Sequence, residues 1–154
     1  SFVVIKPYGT GHTLRGFTMT GNMFRSTKGT IDRVERINAT FATLNLAAVR
    51  DVLVNGNMFL NVVTGSENPI TLDHTQSNHA STWFVPFAGR FPFGGRAQRV
   101  SCVMNRSKIK SVANVNQFTA PWVTPERGTN GDVVEVAWEK EVSGTVTITA
   151  RMDD

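Results

Sequence analysis

Apolar and polar residues alternate over short stretches of this chain, and one of these stretches occurs twice. Residues 14–26, LRGFTMTGNMFRS, align without gaps on residues 49–61, VRDVLVNGNMFLN, at an offset of 35. In the first copy Phe17 and Met19 alternate with other residues at the period of a strand that buries one face. The Gly-Asn pair that follows suits the left-handed backbone of a turn. The pattern predicts strand-and-turn coils that stack as a β-solenoid.

A weaker copy lies between the two, because Ile31, Val34 and Phe41 follow matching residues of the first copy by 17 positions. We therefore expect three coils of about 17 to 18 residues. Asn22 and Asn57 should stack along the solenoid axis, where each amide can donate and accept. The alternative is that the repeat is coincidental and each copy is an ordinary hairpin. Four consecutive identical residues, Gly-Asn-Met-Phe, favour the solenoid.

The stretch 41–49 admits two interpretations. Phe41, Leu44, Ala48 and Val52 have the spacing of one helix face, so a short helix within 41–49 is possible. The Thr and Val residues of the same stretch favour a strand. We prefer the strand.

From residue 64 onward the pattern changes, and the Gly-Asn-Met-Phe turn does not recur. Short β-like runs now alternate with turns that contain Gly, Pro or Asn. We predict an all-β protein with β-helix coils over 1–63 and an antiparallel, jelly-roll-like β-sandwich over 64–154. This second domain would cap the open end of the solenoid. Its predicted strands lie at 81–87, 99–104, 108–112, 133–138 and 144–152.

The composition fits an ordered, strand-rich protein. Of 154 residues, 40% are hydrophobic and 18% are charged, below the roughly 25% typical of soluble domains. No apolar run approaches the roughly 20 residues that span a bilayer, so we predict no membrane insertion. Cys102 is the single cysteine, which excludes an intramolecular disulfide and a cysteine zinc cluster. Because the sequence starts at Ser1 without Met, we expect it to be part of a longer chain.

No catalytic motif, metal-binding motif or cofactor-binding loop occurs, so we assign no catalytic residue, metal ligand or cofactor. Glycan cleavage usually needs two carboxyl groups. Asp32 and Asp51 lie 19 residues apart, about one predicted coil, and are the one candidate pair; solvated surface groups are the more typical interpretation. His74 and His79 are interpreted as loop histidines rather than as metal ligands.

Aromatic and polar residues of the second domain suggest sugar binding. A Trp ring can stack on the apolar face of a sugar, while Arg and Gln bind its hydroxyl or carboxylate groups. Trp138 alternates with Val134 and Val136 and is therefore assigned to the core. The predicted carbohydrate-binding residues are Trp83, Arg90, Arg96, Gln117, Trp122 and Arg127.

Basic residues are concentrated between Arg90 and Lys110. Such a patch suits an anionic polymer, although a solvated strand face is the more typical interpretation. No nucleic-acid motif accompanies the patch, so no nucleic-acid partner is predicted. In the same region Phe87, Phe91 and Phe93 form an apolar loop that a monomer would not expose. We expect this loop to be buried between the chains of a homotrimer.

Four segments spread along nearly the whole chain form a recognisable set: PYGTGHTLRGF at 7–17, GNMFRS at 21–26, TFATL at 40–44 and TxTARMDD at 147–154. They resemble the C-terminal part of pectate-lyase-like, glycosyl-hydrolase-28-related β-helix proteins, and most closely those of α-proteobacteria, their phages and their gene transfer agents. The resemblance implies a trimeric spike on the outer surface of a virion or gene-transfer-agent particle. It also implies binding of host capsular or other cell-surface polysaccharide.

Three functional hypotheses follow. The preferred one is a C-terminal receptor-binding and trimerisation module that binds host polysaccharide without cleaving it. The alternative is the C-terminal fragment of a polysaccharide lyase or glycoside hydrolase. A third is a trimerisation cap that binds no ligand.

Overall fold

The computed structural model describes residues 1–153 and is all-β, so the predicted fold class is confirmed at this level. The final residue of the closing motif, Asp154, lies outside the described residues. The chain forms two compact units. The first unit contains residues 1–69, 89–95 and 152–153, and the second contains residues 70–88 and 96–151.

Short strands pair in parallel throughout the first unit. Its strands are β1 (Val3–Ile5), β2 (Leu14–Arg15), β3 (Thr18–Thr20), β4 (Met23–Arg25), β5 (Glu35–Ile37), β6 (Val49–Arg50), β7 (Leu53–Asn55) and β8 (Met58–Leu60). The first four pair in order with the last four: β1 with β5, β2 with β6, β3 with β7 and β4 with β8. Leu14 lies beside Val49 and Met23 beside Met58, so the pairing register follows the sequence repeat.

The expected coil length of 17 to 18 residues is wrong. Each strand of the repeat pairs with its copy 35 residues later, and β1 pairs with β5, in which Glu35 lies opposite Val3. Ile31 forms a bridge with Val62, not with a residue of the first copy. Val34 is fully buried. The weaker copy therefore contributes apolar residues to one long turn of chain instead of forming a coil of its own.

The alternation within the repeat is confirmed. Met19, Val52 and Val54 are buried, whereas Thr18 and Leu53 point outward; Phe17, predicted to face inward, is half-buried and precedes β3. The two Gly-Asn turns also stack as predicted, because the backbone N–H and the side-chain amide of Asn22 donate to the Asn57 Oδ1 over 2.9 and 3.1 Å.

Neither sequence interpretation of 41–49 holds over its full length. A single 3-10 turn spans Leu46–Ala48, and β6 follows it. The Asn45 side chain caps this turn by accepting the Ala47 N–H over 3.1 Å. Local capping therefore outweighs the strand preference of the neighbouring Thr and Val residues.

The second unit is one six-stranded antiparallel sheet organised about its longest strand. Its strands are β9 (Ile70–Pro86), β10 (Arg99–Asn105), β11 (Ile109–Ser111), β12 (Asn116–Gln117), β13 (Trp122–Arg127) and β14 (Val133–Arg151). Strand β9 pairs with β14 along nearly its whole length, while β13, β11 and β10 follow one another along the opposite edge of β14. Strand β12 extends the sheet from β11.

The single sheet differs from the predicted sandwich because two strands are much longer than the pattern indicated. Residues 70–80 carry few apolar side chains, yet they belong to β9. The predicted strands 133–138 and 144–152 are joined in β14, which contains irregular register between Ala137 and Gly144. A Cβ at Gly144 would lie 2.7 Å from the Ile109 Cδ1, so only glycine allows these segments to approach.

The expected burial of the apolar loop between chains is wrong for Phe87 and Phe91. Phe87 and Phe91 are both fully buried within the single chain, and Phe93 is half-buried. The Phe87 N–H donates to the Asp132 carbonyl over 2.9 Å. A second copy is therefore not needed to cover these rings. In the described part of the chain, no helix has the length and apolar character needed to cross a membrane.

Candidate functional site

The six predicted sugar-binding residues are divided between the two units. Arg90 belongs to the first unit. The other five, Trp83, Arg96, Gln117, Trp122 and Arg127, belong to the second.

Trp83 is wrong as a sugar-stacking residue because its side chain is fully buried. Its indole N–H donates to the Ala80 carbonyl over 3.0 Å, and its ring centroid lies 4.9 Å from that of Trp138. Trp138 was assigned to the core and is only 6% exposed, which confirms that prediction. The two indoles therefore stabilise the second unit and leave no free face for a ligand.

Trp122 and Arg127 share the outward face of β13. The Trp122 side chain is 78% exposed and lies in register with Ala137 of β14. Glu135, two residues earlier in β14, pairs with exposed Phe84 of β9, and its carboxylate lies 3.6 Å from the Arg127 Nε. The small Ala137 side chain leaves the Trp122 ring accessible beside this ion pair. These two predicted residues thus lie at opposite ends of one strand.

Arg96 and Gln117 have different surroundings. Arg96 is exposed, and its stem lies against Gly131. Gln117 lies on β12 next to Phe118, and both residues line two neighbouring clefts of the second unit.

Arg90 lies in a groove of about 500 Å³ in the first unit. Its Nη2 lies 2.6 Å from the Glu67 Oε2, and both side chains remain partly exposed. Asn55 and Asn57, the two neighbours of Gly56 in the second turn, line it with their amide groups. Phe59 contributes an aromatic ring. The remaining lining residues are Gly56, Gly65 and Ser66. A volume of several hundred Å³ with a few convergent polar groups is typical of a small-molecule site.

The backbone that carries Arg90 is held from both sides. The Arg33 guanidinium donates to the carbonyls of Gly89 and Phe91, the two neighbours of Arg90. The Arg90 carbonyl accepts the Glu67 N–H over 3.0 Å. All three consecutive carbonyls are therefore bonded, which fixes the direction in which the Arg90 side chain leaves the loop.

Arg33 is in turn oriented by a buried pair of side chains. Its Nη1 lies 2.9 Å from the Glu35 Oε1 and 3.2 Å from the Ser66 Oγ. The Ser66 hydroxyl also donates to the same Glu35 oxygen. The Glu35 side chain is only 1% exposed, so the ion pair is shielded from solvent. Ser66 connects this network to the groove, which it lines.

The aromatic wall of the groove depends on a glycine. A Cβ at Gly65 would lie 2.8 Å from the Phe59 Cδ2, closer than any normal contact. The other side of the Phe59 ring stacks on Phe24, with centroids 5.8 Å apart and planes 16° apart. Phe24 is the equivalent of Phe59 in the first copy of the repeat, so the repeat itself supports the wall.

The groove contains one carboxylate among the described residues, and the predicted carboxylate pair does not form. Among the described residues, Glu67 is the one carboxylate that lines the groove, and it is paired with Arg90. Asp32 and Asp51 do not lie side by side on paired strands, as the predicted coil length required. Asp32 lies next to Ile31, which pairs with Val62, whereas Asp51 follows Arg50, which pairs with Arg15.

The remaining reactive groups do not converge. Within residues 1–153, no cluster of three or more His, Cys, Asp or Glu side chains could hold a metal ion. His74 lies 3.4 Å from the Gln76 Oε1, and His79 lies 3.3 Å from the Ser143 Oγ. Cys102 is an exposed free thiol.

Comparisons with protein-family models, with curated proteins and with solved structures found no match to this chain. The groove residues to which sequence reasoning gave no binding role are Asn55, Phe59 and Glu67. The repeat offered a signal for the first two, because it predicted a turn between two strands. No local signal pairs Glu67 with Arg90, since 23 residues separate them.

Proposed function

We propose that this chain is the C-terminal receptor-binding and trimerisation module of a phage-like or gene-transfer-agent spike. In this role it binds host cell-surface polysaccharide at the outer surface of the particle. The observation that carries the proposal is the groove in the first unit. Arg90 and the Asn55 amide donate hydrogen bonds, Glu67 and the Asn55 amide oxygen accept them, and Phe59 offers an apolar ring. A pyranose presents the same combination of hydroxyl groups and an apolar C–H face.

Preorganisation supports a binding role. The clamp from Arg33 and the glycine-dependent position of Phe59 mean that little side-chain order has to be gained when a ligand enters. Groups that are already ordered lose less conformational entropy on association. This smaller loss of conformational entropy matters most for a saccharide ligand that binds weakly.

The carboxylate arrangement favours binding over the enzymatic alternative. Glycoside hydrolysis normally uses two carboxyl groups about 5 to 9.5 Å apart on opposite sides of the scissile bond. The described part of the groove contains only Glu67, which already pairs with Arg90. We therefore propose that the groove retains the polysaccharide intact.

The paired strands of the first unit support a β-solenoid. Four parallel pairs follow one another in chain order, and the Gly-Asn turns stack. We infer that they are two stacked coils of the β-helix that the family resemblance implies. The number of residues per turn, about 35, is set by the pairing register.

Exposed apolar residues support a homotrimer. Tyr8, Met23 and Val63 each leave more than half of their surface exposed. Contact between copies would remove part of this apolar surface from water. Sedimentation equilibrium should report three times the monomer mass, and a stable monomer at micromolar concentration would refute the trimer.

The glycan proposal is tested with an array of bacterial capsular and other cell-surface polysaccharides. Wild type should retain at least one polysaccharide, and Arg90→Gln should bind it about tenfold or more weakly, because the Glu67 pair and several donors are lost. Arg36→Gln is the matched control: Arg36 is an exposed arginine of β5 in the same unit and does not line the groove. If both variants lose binding equally, or if wild type retains no polysaccharide, the groove is refuted as the polysaccharide-binding site.

The same incubations separate binding from cleavage. Assays for new reducing ends and for unsaturated uronide absorbance should remain at the level of a protein-free blank. Product that accumulates with wild type but not with Glu67→Gln would instead establish the enzymatic alternative.

A further inference from the structure

A second groove, in the second unit, has a different chemical character. Its volume is about 440 Å³. Lys108 is the one charged residue that lines it, and no carboxylate lines it among the described residues. The complete lining comprises Asn105, Ser107, Lys108, Ile109, Asn116, Gln117, Phe118 and Thr119.

The backbone on either side of Lys108 is pinned by β14. The N–H groups of Arg106 and Ser107 both donate to the Thr145 carbonyl, over 2.9 and 3.2 Å. The Ser107 hydroxyl accepts the Thr145 N–H over 2.8 Å. Ile109, on the other side of Lys108, is buried against Gly144. Lys108 therefore extends from a rigid support, although its own side chain is exposed.

The groove presents an apolar surface beside polar groups. Phe118 is fully exposed, with 102% of its reference area accessible, and forms one wall. Ile109 provides a buried apolar floor. The Asn105 amide holds the opposite segment by donating to the Thr119 carbonyl over 3.2 Å. Asn116 and Gln117 add side-chain amides.

Charge distinguishes this groove from the one that contains Arg90. There the Glu67 carboxylate neutralises the arginine and would repel an anion. Lys108 has no ion-pair partner among residues 1–153. An anionic ligand group would therefore meet an uncompensated ammonium group, and a charge-assisted hydrogen bond is stronger than a neutral one.

We infer that the second groove is a separate saccharide site that takes a sugar unit bearing an anionic group. The anionic group lies at Lys108, the sugar ring lies against Phe118, and the amides of Asn116 and Gln117 bind hydroxyl groups. The inference rests on the proposed function, because it identifies the ligand as a saccharide. It adds a second site and a charge requirement that the first groove does not have.

The test uses two probes that differ at one C6 group, which is a carboxylate in cellobiouronic acid and a hydroxymethyl group in cellobiose. They are titrated into the full chain labelled with ¹⁵N and followed by backbone amide shifts. The acid should shift the amides of residues 107–109 and 116–119 and bind about tenfold more tightly there than cellobiose, a ratio worth about 1.4 kcal/mol. Raising the salt concentration should reduce that preference.

Two variants test the assigned roles. Lys108→Gln should abolish the preference for the acid, whereas Lys110→Gln should retain it, because Lys110 lies on the same strand and does not line the groove. Phe118→Ala should weaken the binding of both probes. A preference for the acid that survives Lys108→Gln would refute the site.

Two further probes identify the ligand class. Inorganic sulfate and a ten-residue oligothymidylate carry negative charge without the sugar pattern of the disaccharides. Binding of either at the groove as tightly as the acid would overturn the saccharide assignment. If polysaccharide binding is lost in Arg90→Gln, while the acid and cellobiose act alike at the second groove, the proposed function stands and this inference fails.

Discussion

Asn68 and Asp153 lie 85 positions apart, yet the Asn68 Nδ2 donates to the Asp153 Oδ1 over 2.8 Å and both side chains are fully buried in the first unit. The second Asp153 oxygen accepts the Val52 N–H over 2.9 Å. The Asn68 Oδ1 accepts the Met152 N–H over 3.0 Å. Met152 and Asp153 thus satisfy buried backbone and amide groups of the first unit.

Removing the Asp153 carboxylate should destabilise the protein. Asp153→Ala removes the acceptor of the Val52 N–H and one of the two acceptors of the Asn68 amide, and each orphaned buried donor costs about 1 to 3 kcal/mol. We expect the free energy of unfolding in urea to fall by about 2 to 4 kcal/mol. Asp32→Ala is the control, because Asp32 is exposed, and should change it by less than about 0.5 kcal/mol. Equal stability of the two variants would contradict this prediction.

The Arg33 clamp should depend on the planar guanidinium. Arg33→Lys keeps the positive charge but cannot bond Gly89, Phe91 and Glu35 at once. We expect the Glu67 amide, which donates to the Arg90 carbonyl, to exchange its hydrogen about tenfold or more faster. Arg36→Lys, on the exposed side of β5, should leave that exchange rate unchanged. Unchanged protection in Arg33→Lys would show that the loop holds its position without the clamp.

Gly65→Ala should displace the Phe59 ring. The added Cβ would lie 2.8 Å from the Phe59 Cδ2, and overpacking of this kind costs about 1 to 3 kcal/mol. Polysaccharide binding at the groove should weaken together with stability. Gly11→Ala provides the comparison, since nothing lies within 4 Å of its Cβ position. Thermal unfolding and array binding measure the two effects, and a Gly65→Ala variant that matches Gly11→Ala in both would be incompatible with this packing.

Trp122 and Trp83 should differ in how iodide quenches their fluorescence and in how much they contribute to stability. Trp122→Phe should remove most of the emission that iodide quenches, because Trp122 is 78% exposed, while Trp83→Phe should retain it. Trp83→Ala should lower the free energy of unfolding by about 3 to 5 kcal/mol, since it leaves a large cavity beside Trp138. Trp122→Ala should be nearly neutral. Iodide access to Trp83 in the folded protein would contradict the buried assignment.

The repeat is where sequence reasoning was most successful. Residues that repeat at equal spacing can adopt equivalent conformations, and the observed pairs of Leu14 with Val49 and of Met23 with Met58 join positions that the alignment matched. The coil length predicted from the weaker copy was wrong. Apolar spacing reports which residues face inward, but it does not report how much chain separates two paired strands.

The second unit was less predictable because its long strands contain weak local signals. The polar residues 70–80 form a strand only because β14 offers a complementary edge along its whole length. Trp83 illustrates the same limit at a single residue. Its neighbours Thr82 and exposed Phe84 do not indicate that Trp83 is buried. The face of the sheet on which Trp83 lies follows from its pairing with Val136 of β14.

The amino-acid sequence by itself determined an all-β chain, the inward and outward faces of the repeated strands, the stacked asparagines and the core position of Trp138. These features depend on neighbours within a few residues or on an exact repeat. Only the tertiary structure decided that Arg90 meets Glu67, that Arg33 holds the loop between them, and that Asp153 completes the interior of the first unit. Those contacts join distant segments, and their geometry depends on how the intervening chain folds.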